Sequence, residues 1–125
     1  MPTAQAFEKW LIAYGAAWEA RDPGAAVRIF SPDARYHWTP FASPQVGHDQ
    51  IAAAWGQATS SQQDIQFRYS VWSVDDLRGI AQWHTRFTRI DTGLPVEIDG
   101  VLLAEFDAAG LCRLFREWWH STDTP

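Results

Sequence analysis

The second half of the chain is a succession of period-two runs separated by turn residues, and that pattern restricts the fold more than any other feature. Between Asp64 and Val74, Ile65, Phe67, Tyr69 and Val71 alternate with Gln66, Arg68, Ser70 and Trp72. Alternation of this kind is a strand with two usable faces. Asp75-Asp76 turns the chain. Gly79 to Arg89 alternates again, with Ala81, Trp83, Thr85 and Phe87 on one face and Gln82, His84, Arg86 and Thr88 on the other. Asp91-Thr92-Gly93 reads as a hairpin turn leading into a strand from Pro95 to Phe106. Asp107 opens one more turn, which Gly110 closes with a positive φ, and the run to His120 follows with no Pro or Gly. Consecutive strands joined by short turns form an antiparallel meander.

The first half has a different period. Phe7, Trp10, Leu11, Tyr14 and Trp18 recur at spacings of three and four from Thr3 to Ala20, which marks one face of a helix. Ala13, Ala16, Ala17 and Ala20 favour the same conformation. Asp22-Pro23 is a helix start, because Asp caps and Pro at the first position loses no useful N–H. This second helix is expected to reach Phe30 and to stop at Ser31-Pro32. Arg35 to Trp38 reads as a short strand, with Tyr36 and Trp38 on one face. Thr39 to Gly47 reads as a loop whose Phe41 would fold over a cavity mouth. His48 to Ser60 is expected to be a third helix, with Ile51 and Trp55 inward.

Helices first and strands after indicate an α+β fold. The chain is expected to be one domain over residues 1–125, a cone-shaped, curved antiparallel sheet with the three helices of the N-terminal half laid across its concave side. Such an arrangement encloses a space. Eight Trp in 125 residues exceed what a core requires. They mark either a lined cavity or an adhesive subunit interface. Val101, Leu103, Leu114 and Trp118 need cover on the far side of the sheet, so a homodimer through the convex face is expected.

Composition excludes several classes. The net charge is −5 with no basic cluster, which argues against a nucleic-acid partner. The single cysteine, Cys112, permits no internal disulfide framework and no Cys-based zinc site. No apolar run approaches the ~20 residues that span a bilayer, and no secretory signal is evident. The expectation is a cytoplasmic protein with no membrane partner. His37, His48, His84 and His120 lack metal-ligand spacing, so no metal and no cofactor is expected. No phosphate loop, dinucleotide fingerprint or nucleophile elbow is present.

The order of elements and several residues resemble the nuclear-transport-factor-2-like superfamily, in its SnoaL-like and ketosteroid-isomerase-like branch. The matching marks are Tyr14 and Trp18 ahead of Asp22, Ile29-Phe30 before Asp33-Ala34, Pro40 to Pro44 ahead of Gly47, Ile51 to Trp55, and Phe106-Asp107 to Gly110. The resemblance implies an α+β barrel with a deep apolar pocket, in a family that includes isomerases, polyketide cyclases, dehydratases, epoxide hydrolases and non-catalytic binders. Compared with the steroid isomerases, Tyr14 falls on the oxyanion-hole tyrosine and is kept. Trp55 falls on the tyrosine supporting it, Trp38 on the general-base aspartate, and Leu102 on the neutral aspartic acid. The resemblance therefore does not extend to steroid isomerisation by that mechanism.

The same resemblance turns Gly100, Leu102, Phe115, Glu117 and Trp119 toward the pocket, with Trp83 and Thr85 opposite, and turns His84, Asp99 and His120 outward. A slip of one residue across either turn would instead place Arg116, Trp118 and His120 inside. Glu117 is the leading chemical candidate, since desolvation by Trp119, Trp83 and Trp38 would raise its pKa and suit it to acid or base work. The competing reading pairs it structurally with Arg113 or Arg116. Tyr14 would be the polarising donor. Trp18, Trp38, Trp55, Trp83, Thr85, Leu102, Phe115 and Trp119 would contact a hydrophobic small molecule. The expected function is a SnoaL-like pocket protein for such a molecule, with proton-transfer chemistry of isomerase, cyclase or dehydratase type. The alternatives are a non-catalytic binder and a protein-interaction module.

Overall fold

The computed structural model describes residues 3–123. Helix α1 spans Ala4–Glu19, and the Thr3 side chain caps it by accepting the Ala6 N–H at 3.0 Å. Helix α2 spans Pro23–Val27, with the Asp22 carboxylate accepting the Ala25 N–H. Strands β1 (Phe30–His37) and β2 (Gln45–Val46) precede helix α3 (Gly47–Thr59). Strands β3 (Gln62–Val74), β4 (Arg78–Arg89), β5 (Pro95–Phe106) and β6 (Cys112–Ser121) complete the chain. The sheet runs β2-β1-β6-β5-β4-β3 and does not close, because β2 and β3 remain its edges.

The α+β arrangement and the meander of β3 to β6 are as the sequence indicates. Four details differ. The second helix ends at Val27, and Phe30 to Pro32 belong to β1. Pairing overrides local preference here: Phe30 sits opposite Cys112 of β6, and the Cys112 N–H donates to the Ile29 carbonyl at 3.0 Å. The β1–β6 pairing is parallel, so the sheet is not wholly antiparallel. Gln45-Val46, read as loop, pairs with β1 as a two-residue strand. Phe41 does not cover a cavity; it is 99% exposed.

Register decides which side chains share a face. Trp83 pairs with Gly100 and Gly100 with Trp119, while Leu102 pairs with Glu117. These residues therefore lie on the helix-covered side. His84, Asp99 and His120 form a row on the other side. The one-residue slip that would bring Arg116, Trp118 and His120 inside does not occur. Gly100 has a packing reason: a Cβ there would meet the Trp118 carbonyl oxygen at 2.4 Å and the Trp119 Cβ at 2.7 Å.

The core is an aromatic stack. Trp10 and Tyr14 of α1 lie on Phe115 of β6, with ring centroids 6.0 and 5.4 Å away. Tyr36 stacks on Phe115 from the β1 side at 4.4 Å. Helix α1 lies against β3, where Glu8 accepts the Tyr69 hydroxyl and Glu19 accepts the Phe67 N–H. On the convex side, Arg116 lies over the Trp118 ring at 5.6 Å, and Trp118 is 42% exposed.

Candidate functional site

A cavity of about 220 Å³ opens between α1, α3 and the concave face of the sheet. Tyr14 and Trp18 reach it from α1, Trp55 from α3, Trp83 from β4, and Glu117 and Trp119 from β6. Trp38, just past the end of β1, completes the set of sequence candidates that line it. Three others lie deeper. Leu102, Phe115 and Thr85 are fully buried and face the same side, but they pack beneath the cavity and do not line it. Phe115 is covered by Tyr36, which stacks on it at 4.4 Å and lines the cavity in its place. Tyr36, Ala58, Thr59, Gln62 and Ile98 line the cavity as well and were not singled out by the sequence. Tyr36 had a usable signal, since it shares a strand face with Trp38 and a buried Tyr14 requires a polar partner.

Glu117 is almost wholly buried, and its Oε2 has no hydrogen-bond partner among the described residues. Neither Arg113 nor Arg116 pairs with it. Arg116 leaves the strand on the opposite face and stacks on Trp118. Burial without a compensating cation pushes the Glu117 carboxyl well above its ordinary value. Burial thus favours the carboxylic-acid form, which can donate its proton and accept a hydrogen bond at its carbonyl oxygen.

The Tyr14 and Tyr36 hydroxyls lie 2.9 Å apart and share a hydrogen bond. Burial first, then the neighbouring Glu117, pushes both phenols upward, so both stay protonated. One hydroxyl donates to the other, which leaves the acceptor's own proton free. The Trp55 indole N–H lies near enough to favour the Tyr36 phenolate slightly, yet it makes no hydrogen bond.

The five indole N–H groups lining the cavity divide sharply when Trp18 and Trp119 are set against Trp38, Trp55 and Trp83. Trp18 donates to the Gln62 side-chain oxygen at 2.8 Å, and Trp119 donates to the Trp38 carbonyl at 2.8 Å. The N–H groups of Trp55 and Trp83 are buried without partners, as is that of Trp38. The Thr85 hydroxyl is also unpartnered. The Thr59 hydroxyl, by contrast, donates to the Trp55 carbonyl at 2.8 Å.

The histidines are not at this site. His48 bonds the Phe30 carbonyl, and His84 lies between Asp99 and Glu97 on the convex face, 2.9 Å from each. Among the described residues no group of three His, Cys, Asp or Glu side chains is placed to hold a metal ion. Cys112 is buried, and burial pushes its thiol up, away from reactivity.

An open α+β sheet cupped around an aromatic cavity with one buried acid defines the class, and the comparisons agree. The chain belongs to the SnoaL-like domain family, which it matches over residues 11–115. Its fold is similar to that of the epoxide hydrolase/cyclase-like enzyme SalBIII, described for pyran ring formation in the polyether salinomycin. That match has a TM-score of 0.82 at 14% identity, covering 96% of this chain and 95% of that one. It is also similar to a ketosteroid isomerase-like protein from Erwinia carotovora atroseptica SCRI1043, with a TM-score of 0.73 at 19% identity and 96% coverage of both chains. At these identities the likeness establishes the fold. No curated protein matches the chain in sequence. No helix among the described residues is long and apolar enough to cross a membrane.

Proposed function

We propose that this SnoaL-like protein binds a hydrophobic small molecule in the aromatic cup and performs proton-transfer chemistry of isomerase, cyclase or dehydratase type. The observation that carries the proposal is Glu117: a carboxyl group in the cavity wall, desolvated, with no cation among the described residues paired with it and no donor among them to Oε2. An unpaired buried acid is costly to keep in a fold, and its placement at a ligand-sized cavity gives that cost a use. Glu117 acts as general acid toward a ligand oxygen and, once ionised, as the base that recovers a proton. The protonated Tyr14–Tyr36 pair polarises the same or a neighbouring oxygen. Trp18, Trp38, Trp55, Trp83 and Trp119 form the walls and keep water away from the transfer. The protein works as a cytoplasmic homodimer joined through the convex face, where Val101, Leu103 and Leu114 are partly buried and Trp118 is exposed.

One observation favours a second reading, a non-catalytic binder. Glu117 is the single carboxyl group among the residues lining the cavity, and the resemblance to the steroid isomerases sets Trp38 where their general base would be. Native mass spectrometry of the purified protein supplies the copurifying molecule for a test. Glu117→Gln is expected to bind that molecule within about threefold of the wild type and to convert it at least ~100-fold more slowly. Equal conversion by both proteins would leave only the binder.

A further inference from the structure

The polar atoms around the cavity are unequally divided between donors and acceptors. Three indole N–H groups, those of Trp38, Trp55 and Trp83, are buried with no hydrogen-bond partner among the described residues. The tyrosine pair keeps one free O–H, because each phenol has a single proton and only one bridges the pair. Gln62 adds two more donors. An indole nitrogen can only donate, so the 2.8 Å bond from Trp18 Nε1 identifies the bound atom of Gln62 as its oxygen. The Arg21 guanidinium donates to the Gln62 backbone carbonyl at 3.1 Å and holds the strand start in place. The Gln62 oxygen is thereby occupied, while its NH₂ has no hydrogen-bond partner among the described residues, and the side chain lines the cavity.

Against these donors stand few free acceptors: the phenol lone pairs and one carboxyl group. A guest that itself brought N–H or O–H groups would leave donors facing donors. Size adds a second limit. A cavity of about 150 Å³ holds one benzene ring, so about 220 Å³ takes one ring or two fused rings and excludes a tetracycle.

Resting on the ligand-cup reading, we propose that the cavity selects an uncharged molecule of one or two rings bearing acceptor oxygens, ketone or ether, and that Gln62 is a specificity-determining residue whose NH₂ receives one of those oxygens. Glu117 and the tyrosine pair serve another, so that the guest is held by its oxygens and oriented by Gln62.

The test uses quenching of the intrinsic tryptophan fluorescence by three probes: 2-tetralone, which has two rings and a ketone, tetralin, which lacks the ketone, and progesterone, a tetracyclic ketone. The wild type is expected to bind 2-tetralone at least about fivefold more tightly than tetralin, as one or more net hydrogen bonds imply, and progesterone more weakly than either. Gln62→Leu is expected to reduce that preference severalfold while leaving the tetralin affinity unchanged. Gln62→Asn, which keeps the amide on a shorter stem, is expected to retain part of the preference, and circular dichroism checks that both variants fold. Tetralin binding as well as 2-tetralone, progesterone binding best, or Gln62→Leu weakening both bicyclic probes equally would overturn the inference while leaving a ligand cup. Failure of all three probes to bind would overturn the cup itself and this inference with it.

Discussion

Two carboxylates on neighbouring strands of the sheet meet opposite fates. Glu117 of β6 faces the helices, has no polar partner at Oε2, and is pushed well above its ordinary range by burial. Asp99 of β5 faces the other side and accepts hydrogen bonds from His84 and Gln82, both at 2.9 Å. The bond from His84 is the main reason its carboxyl is lowered. The residue types are almost interchangeable, and the pleat alone separates them. What sets their chemistry is which face the strand parity gives them and what that face offers as solvent. The concave face supplies indole and phenol rings, and the convex face supplies water and counter-charges.

The sharpest way to break this comparison is to empty one position on each face. Phe115→Ala removes a fully buried ring on which Tyr14 and Tyr36 stack, so it is expected to cost about 3–5 kcal/mol. Trp118→Ala, three residues further along β6 and outward, is expected to cost under ~1 kcal/mol at a protein concentration low enough to keep the chain monomeric. Urea denaturation of both variants measures this. Equal costs would mean that the convex face is as much a core as the concave one.

A smaller effect distinguishes the two acids by pH. The folded state of the wild type holds the Glu117 proton above the ordinary value of 4.5, where the unfolded chain has released it. Bound protons are then more numerous in the folded state, so stability falls as pH rises from there up to the folded pKa. The loss is about 1.4 kcal/mol per pH unit within that window. Glu117→Gln removes this component, and its stability relative to the wild type is expected to rise with pH over the same range. Thermal unfolding at several pH values reads it, and parallel curves would contradict a desolvated acid.

The smallest effect belongs to the convex pair. His84 is raised above its ordinary 6.5, chiefly by Asp99 and then by Glu97. Its contribution is complete below the unfolded value and disappears as pH rises through the folded one. His84→Gln is therefore expected to cost under about 1 kcal/mol at pH 6, and less still in high salt or at alkaline pH. A cost that persists at alkaline pH would show that His84 acts by packing and not by charge.

Much of this was legible in the chain and some was not. Periodicity separated helices from strands, and the turn residues Asp91-Thr92-Gly93 and Asp107 to Gly110 fell where the hairpins are. The resemblance to the steroid isomerases, more than strand parity, turned Glu117 inward, and the register that pairs Gly100 with both Trp83 and Trp119 has it on that face. The start of β1 was hidden because Ser31-Pro32 is a local stop signal, and only contact with a strand some eighty residues later overrides it. Depth was hidden for a related reason. Alternation says that Leu102, Phe115 and Thr85 point inward, but not that other side chains form the cavity wall, as Tyr36 does over Phe115. Gln62 was missed because a glutamine at a strand end has no sequence signature until its partner, Trp18, is brought beside it.

The parallel contact between β1 and β6 has a consequence for how the protein is made. The strand that carries the acid is inserted between one formed early in the chain and one formed late. Until β6 is in place, β1 and β5 each lack the neighbour they have in the finished sheet. Nascent chains of this topology depend on a late, long-range closure, so the last strand to emerge both completes the fold and delivers the proton-bearing group.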